Sequence, residues 1–183
     1  MKRLLNNIFF IHLLLVSVYI LFLLNYFLEF IRFSSPLLNE CTGIICLLIP
    51  FILFFHGFRF KLKGLKIVNG VLLIIPILIS IVFLFFESFV LGDIIKTGTD
   101  PSFERIKALE LSKSNVNVYR TNGGATTDFG IIARQEMKVL PGILIVKQFF
   151  NEYHKYDVEL NRIGGDSLRL EGKVVVLKKY VYL

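Results

Sequence analysis

The residues best suited to ligand or bond chemistry in this 183-residue chain gather in one run: Tyr119, Arg120, Thr121, Asn122, Gly123, Gly124, Ala125, Thr126, Thr127 and Asp128. Small residues let backbone amides come close to a ligand, and short polar side chains add donors and an acceptor. Asn122, Gly123, Gly124, Thr126, Thr127 and Asp128 are therefore the candidate ligand-binding residues, with the chemistry for an anion or a sugar. The run is not a P-loop, because it has no Gly-Lys-Ser/Thr ending and leads into a strand pattern rather than a helix. The competing and commoner use of such residues is a tight strand connection. There Gly123 and Gly124 supply positive φ while Asn122 and the hydroxyls satisfy local backbone groups.

Asp128, His154 and Asp157 are a second grouping with hydrolytic or metal potential, since carboxylate and imidazole are the usual orienter and base. Their spacing matches no G-x-S-x-G or H-E-x-x-H pattern. If His154 and Asp157 share one strand, alternation puts them on opposite faces. The expectation is a solvent-exposed histidine at a strand end, with no catalytic residue, no metal ligand and no cofactor assigned. Cys41 and Cys46 are five apart. On one helix that separates their Cα atoms by roughly 8 to 9 Å, beyond the limit of about 7 Å for a disulfide. Free thiols are expected.

The elements that must position these residues follow from composition. The chain is 55% hydrophobic and 14% aromatic with formal net charge +7, and its mean hydropathy of +0.67 is too high for an ordinary soluble domain. Three runs carry no Lys, Arg, Asp or Glu: residues 4–28, 41–58 and 67–86. Each is long enough to cross the roughly 30 Å hydrocarbon layer as a helix, and each is apolar around its circumference. The spans are placed at about 8–28, 41–58 and 67–87, within a membrane anchor covering residues 1–92. The first exceeds the apolar core of a cleaved signal peptide and reads as a retained anchor.

Charge placement predicts orientation. Lys2 and Arg3 precede the first span, and Arg59, Lys61, Lys63 and Lys66 lie between the second and third. By the positive-inside rule both flanks are cytoplasmic. The loop with Glu29, Arg32 and Glu40, and everything after the third span, then lies outside the cytoplasm. The net charge splits into +4 for residues 1–92 and +3 for residues 93–183, so the basic character is topological information rather than a nucleic-acid surface. His12 is the one ionisable group well inside a span, whereas Glu29, Arg32, His56 and Glu87 fall at span ends. That makes a poor transporter. Asn25 suits a helix-to-helix hydrogen bond, and Pro50 and Pro76 are expected to kink their helices.

After Glu87 the pattern changes to alternation. Gly92 to Pro101 reads as a linker, and residues 101–111 fit either a short helix or a strand. Beyond them Val116 and Val118, then Phe129, Ile131, Ala133 and Met137, alternate with polar neighbours. Pro141 and Gly142 form a type II-like turn into Ile143 to Phe150. Tyr156, Val158 and Leu160 alternate, Gly164 to Asp166 turns the chain, and Leu168 to Leu170 and Lys173 to Tyr182 make the last strands. The fold class is thus an α+β membrane protein. Three transmembrane helices are followed by a small antiparallel β domain of five or six strands, a sandwich or curled sheet, over residues 93–183.

The run Tyr119 to Asp128, with Phe129, Gly130, Arg134, Gln135 and Glu136 and the later Pro141 and Gly142, resembles an uncharacterised family of bacterial membrane-anchored and lipoprotein domains carrying Y-x-T-N-x-G-A-T-T. The resemblance covers residues 105–180 and not the spans. It implies a domain class and an envelope location, and lends no catalytic residue. The expected protein is a multi-pass protein of the bacterial inner membrane that displays an extracytoplasmic β domain as a non-enzymatic binding or scaffolding module. Its expected partners are the lipid bilayer and a protein of the envelope, and not nucleic acid. The alternatives are an immunity-type or regulatory envelope protein and a small envelope hydrolase.

Overall fold

The computed structural model describes residues 2–111, 114–122, 128–164 and 167–177, with the backbone alone for residues 2–6. Three helices, α1 (Lys2–Leu28), α2 (Pro36–Gly57) and α3 (Lys63–Thr97), and eight strands alternate in the order α1, β1 (Ile31–Phe33), α2, α3, β2 (Phe103–Glu110), β3 (Asn115–Asn122), β4 (Phe129–Leu140), β5 (Ile143–Tyr153), β6 (Leu160–Arg162), β7 (Ser167–Leu170) and β8 (Lys173–Val176). The chain divides into two compact units, one of Met1–Leu28 with Glu40–Leu91 and one of Glu29–Asn39 with Gly92–Leu183.

The first unit is helical. Its candidate spans, Asn7–Leu28, Pro36–Gly57 and Lys63–Thr97, are each long and apolar enough to cross a membrane. Around Cys46, Ile49 and Leu53 of α2 are packed Leu15, Val16, Tyr19 and Phe22 of α1 and Leu73 of α3. Asn69 Nδ2 on α3 donates to the Leu53 carbonyl on α2 at 3.3 Å. A Cβ at Gly57 would stand 1.9 Å from that nitrogen, so a hydrogen at position 57 is what lets α2 and α3 approach there. Pro50 and Pro76 lie inside α2 and α3. The helices outrun the charge-free stretches: α2 begins at Pro36, and α3 runs through the expected linker to Thr97. A helix needs no apolar surface to add a turn beyond its packed part, so hydropathy under-reads helix length.

The second unit is two antiparallel sheets, one in the order β1-β5-β4-β3-β2 and one in the order β6-β7-β8. They share one core, with Val116, Val118, Ile131 and Ala133 from the larger sheet and Leu168 and Leu170 from the smaller, together with Val158 and Leu177. Period-two alternation produces this arrangement, since every second residue of β3 and β4 meets the same face. Residues 103–110 form a strand, paired antiparallel with β3, which decides between the two readings of 101–111. Gly142, at φ 82°, takes the third position of the turn expected at Pro141. Glu171 and Gly172, both at positive φ, join β7 to β8 in the hairpin turn that suits the strand twist.

Two further features depart from the sequence reading. Tyr156 to Glu159 form no strand, and only Leu160–Arg162 joins the smaller sheet. Ile31–Phe33, in the loop between the first two helices, adds an edge strand to β5 through Ile31 opposite Ile145 and Phe33 opposite Ile143. Three residues are too few to show alternation, and their pairing partner lies over a hundred positions away.

Candidate functional site

Of the candidate ligand residues, Gly123, Gly124, Thr126 and Thr127 lie outside the described residues. Asn122 ends β3 opposite Phe129. Asp128 is the centre of a small polar cluster just before β4. Its Oδ2 lies 2.7 Å from His154 Nδ1. Its Oδ1 accepts from the Tyr156 hydroxyl and the Phe129 backbone N–H, each at 2.8 Å. Its own N–H donates to the Tyr153 hydroxyl at 2.9 Å. The hydrogen bonds from His154, Tyr156 and Phe129 hold the Asp128 carboxyl down at about 2.

His154 follows the end of β5 in a left-handed conformation, φ 58°, with 69% of its side chain exposed. The expected exposed histidine at a strand end is therefore present, but with a partner that spacing alone did not reveal. Asp157 turns away to pair with Lys107 Nζ at 2.8 Å. A carboxylate on a histidine is the orienter and base half of a hydrolytic constellation. Among the described residues, no serine, threonine or cysteine is bonded to His154 to serve as nucleophile.

The more elaborate polar construction lies on the face of the larger sheet turned away from the core. Strand register places Asn117 opposite Arg134 and Asn115 opposite Glu136, with Arg105 opposite Tyr119. Glu136 Oε1 accepts from the Tyr119 hydroxyl and Oε2 from Asn117 Nδ2, both at 2.7 Å. Arg134 is 1% exposed and donates through Nη2 to Glu29. Its guanidinium lies over the Phe103 ring, 4.5 Å from the centroid, and 5.8 Å from that of Tyr119. Arg134 Nε is buried without a hydrogen-bond partner among the described residues. Burial pulls the Arg134 pKa down, opposed first by the Glu29 charge. Burial also pushes the Tyr119 hydroxyl well above its ordinary value, with the Glu136 charge and hydrogen bond adding to the rise.

Local structure delivers these groups. Glu29 takes φ 48° immediately after α1, the left-handed position that commonly ends a helix and that usually goes to glycine. Asn39 clamps the β1 segment, its Oδ1 accepting from the Phe33 N–H at 2.7 Å and its Nδ2 donating to the Phe33 carbonyl at 2.8 Å. A register shift in β2 between Arg105 and Lys107 keeps Arg105 on the polar face and sends Lys107 to Asp157 and the Val158 carbonyl. The polar face and the β1 segment wall a half-open pocket of about 840 Å³ lined by Arg32, Phe103, Arg105, Asn117, Tyr119 and Glu136, among others. Its volume falls in the range of small-molecule sites.

Neither a family model, nor a curated protein, nor a solved structure matches the chain. Function therefore has to follow from the chemistry of the site itself.

The remaining candidates are quickly placed. Cys41 and Cys46 are both free and both lie on α2, where their spacing is too long for a disulfide. The rings of His12 on α1 and His56 on α2 stack with centroids 5.5 Å apart, and neither Nδ1 has a hydrogen-bond partner among the described residues. No group of three or more His, Cys, Asp or Glu with metal-binding proximity occurs among the described residues. Sequence reasoning missed the polar face because its members come from five separated segments. One signal was available: Asn117, Arg134 and Glu136 are polar at alternate positions in strands whose other face carries Val116, Val118, Ile131 and Ala133.

Proposed function

We propose that this chain is a multi-pass protein of the bacterial cytoplasmic membrane that presents its β unit outside the cytoplasm as a non-enzymatic binding module. The observation that carries the reading is the polar sheet face. Glu136, Asn117, Tyr119 and Arg134 are wired to one another beside a pocket large enough for a small ligand. A side-chain network locked before any ligand arrives lowers the ordering cost of binding.

One feature supports three crossings, and a second, independent one supports their orientation. Strand pairing needs both partners in one compartment. The chain between α1 and α2 pairs with β5, which follows α3, and three crossings put those two segments on the same side. The basic flanks Lys2, Arg3, Arg59, Lys61, Lys63 and Lys66 then fall on the other side, where the positive-inside rule wants them. A periplasmic reporter such as alkaline phosphatase, fused after Leu183, is expected to be active. Activity of a cytosolic reporter there would reverse the orientation.

A second reading, a small envelope hydrolase, has one observation in its favour, the Asp128 contact with His154. Full-length protein in nanodiscs is expected to turn over none of a panel of esters, peptides and glycans. Turnover that disappears in Asp128→Asn and His154→Ala would overturn the binding-module reading in favour of the hydrolase.

A further inference from the structure

We propose that the pocket on the polar sheet face binds an acceptor-rich phosphate group, a monoester or diester, between the guanidiniums of Arg32 and Arg105. The inference rests on the binding-module reading and names the ligand class for that site.

Net field does not select the ligand. Arg32, Arg105, Arg120 and Arg134 stand on and around the pocket with Glu29, Asp100, Glu104 and Glu136, four charges of each sign. Hydrogen-bonding capacity does select it. Each of the four carboxylates already has donors. Glu29 takes Arg134, and Glu104 Oε2 accepts from Arg120 Nε at 3.1 Å. Glu136 takes Tyr119 and Asn117. Asp100 Oδ1 takes the Ser102 N–H at 2.9 Å and its hydroxyl at 2.6 Å.

Two of the guanidiniums are likewise engaged. Arg32 and Arg105 are not: among the described residues neither has a carboxylate partner, and both line the pocket. The unspent capacity of the pocket is therefore a pair of planar donor forks. An oxyanion with several acceptor oxygens complements such forks better than a neutral hydroxyl does.

The placement of Arg32 strengthens this. Its guanidinium lies over the Phe103 ring, 5.1 Å from the centroid, and Arg134 is held to the same ring. The two cations are close enough that Arg32 disfavours the charged form of Arg134. An anion seated on Arg32 relieves that repulsion, whereas a cation worsens it. Pairing with Tyr119 puts Arg105 on the same face, and the Asn39 clamp holds the segment that carries Arg32.

Phosphate of this kind comes from two sources, a soluble phosphoester or a phospholipid headgroup, and one experiment separates them. Full-length protein in dodecyl maltoside is titrated with sn-glycerol 3-phosphate and with glycerol. In parallel it is reconstituted with mixed phosphatidylglycerol and phosphatidylcholine, and the retained lipid is identified by native mass spectrometry. Saturable binding of glycerol phosphate but not glycerol, weakened about tenfold or more in Arg105→Ala and in Arg32→Ala, supports the proposal with a soluble source. Selective retention of phosphatidylglycerol, lost in the same variants, supports it with a headgroup source.

Arg105 is exposed, so Arg105→Ala keeps the fold, and Arg32→Lys keeps the charge over Phe103 while losing the planar fork. Arg32→Lys is expected to bind more weakly than the parent and better than Arg32→Ala. Binding that is indifferent to both arginines, or equal for glycerol and its phosphate, would overturn the proposal. So would the absence of both phosphate binding and lipid selectivity in protein whose melting is unchanged. A neutral ligand bound without any phosphate would sink this inference and leave the binding module standing, whereas hydrolysis of the phosphoester would sink the module reading as well.

Discussion

The two faces of the five-stranded sheet are made by alternate residues of the same strands, yet they are stabilised by different physics. On one face Val116, Val118, Ile131 and Ala133 are fully buried against the smaller sheet. On the other, Asn117, Tyr119, Arg134 and Glu136 are buried or half-buried against one another and wired by hydrogen bonds. The apolar face gains by leaving water and tolerates approximate shape. The polar face gains little net free energy per bond and is costly to leave half-made. An interior of the second kind holds side chains in defined orientations, which a dry core has no need to do. The contrast explains why the pocket belongs to the polar face.

The contrast can be broken most strongly from the dry side. Ile131→Ala removes a fully buried side chain and is expected to cost about 2 to 5 kcal/mol, seen as a lower melting temperature of the β unit by circular dichroism. Such a variant leaves the hydrogen bonds of the other face untouched.

On the polar side, Glu29→Gln deprives the buried Arg134 of its ion pair and is expected to cost about 1 to 3 kcal/mol. A double-mutant cycle sharpens the comparison. Glu29→Gln combined with Arg134→Met is expected to be less destabilised than the sum of the two single changes, because the second change removes the charge that the first one stranded. Strict additivity would show that Glu29 and Arg134 do not act as a pair.

Tyr119→Phe deletes one donor to Glu136 and is expected to cost roughly 1.5 kcal/mol. The pKa of Tyr119 is raised by burial from the ordinary 10.0, so the folded state favours the protonated phenol. Stability from this group is complete below pH 10 and lost as pH rises above it. Tyr119→Phe is therefore expected to flatten the alkaline limb of a stability profile as well as lower its plateau.

The smallest effect belongs to the exposed cluster. The Asp128 carboxyl is lowered from 3.8 to about 2 by its hydrogen bonds, so its contribution is present above pH 4 and lost as pH falls through 2. Asp128→Asn is expected to remove that acid limb and, at pH 7, to lower the melting temperature by the same contribution, which exposure to solvent keeps small. A large loss at neutral pH would mean that this cluster, and not the sheet face, organises the unit.

Much of this architecture was readable from residue patterns. The helices announced themselves through runs such as Ile8 to Leu24, and strands β3, β4, β5 and β7 through alternation or the Pro141–Gly142 turn. Local patterns failed where the deciding contact was distant. Ile31–Phe33 is a strand because β5 offers it an edge, and residues 103–110 became a strand because β3 lies alongside. The length of α3 was also hidden, since its final turns carry Asp93, Lys96 and Thr97 and read as a linker. At the candidate site, Asn122 and Asp128 were named from the sequence, but the partners of Asp128 come from residues 129, 153, 154 and 156.

By itself the sequence determined the three apolar helices and a β unit with one dry face. Each of these follows from side-chain type and a period of one or two turns, which are local quantities. Only the tertiary structure decided that Glu29 meets Arg134, that Glu136 is shared by Tyr119 and Asn117, and that Arg32 and Arg105 face one pocket. The physical reason is that these pairings span separations of 17 to 105 residues. No local propensity specifies which distant polar group will share a buried face with another; the register of the sheet does.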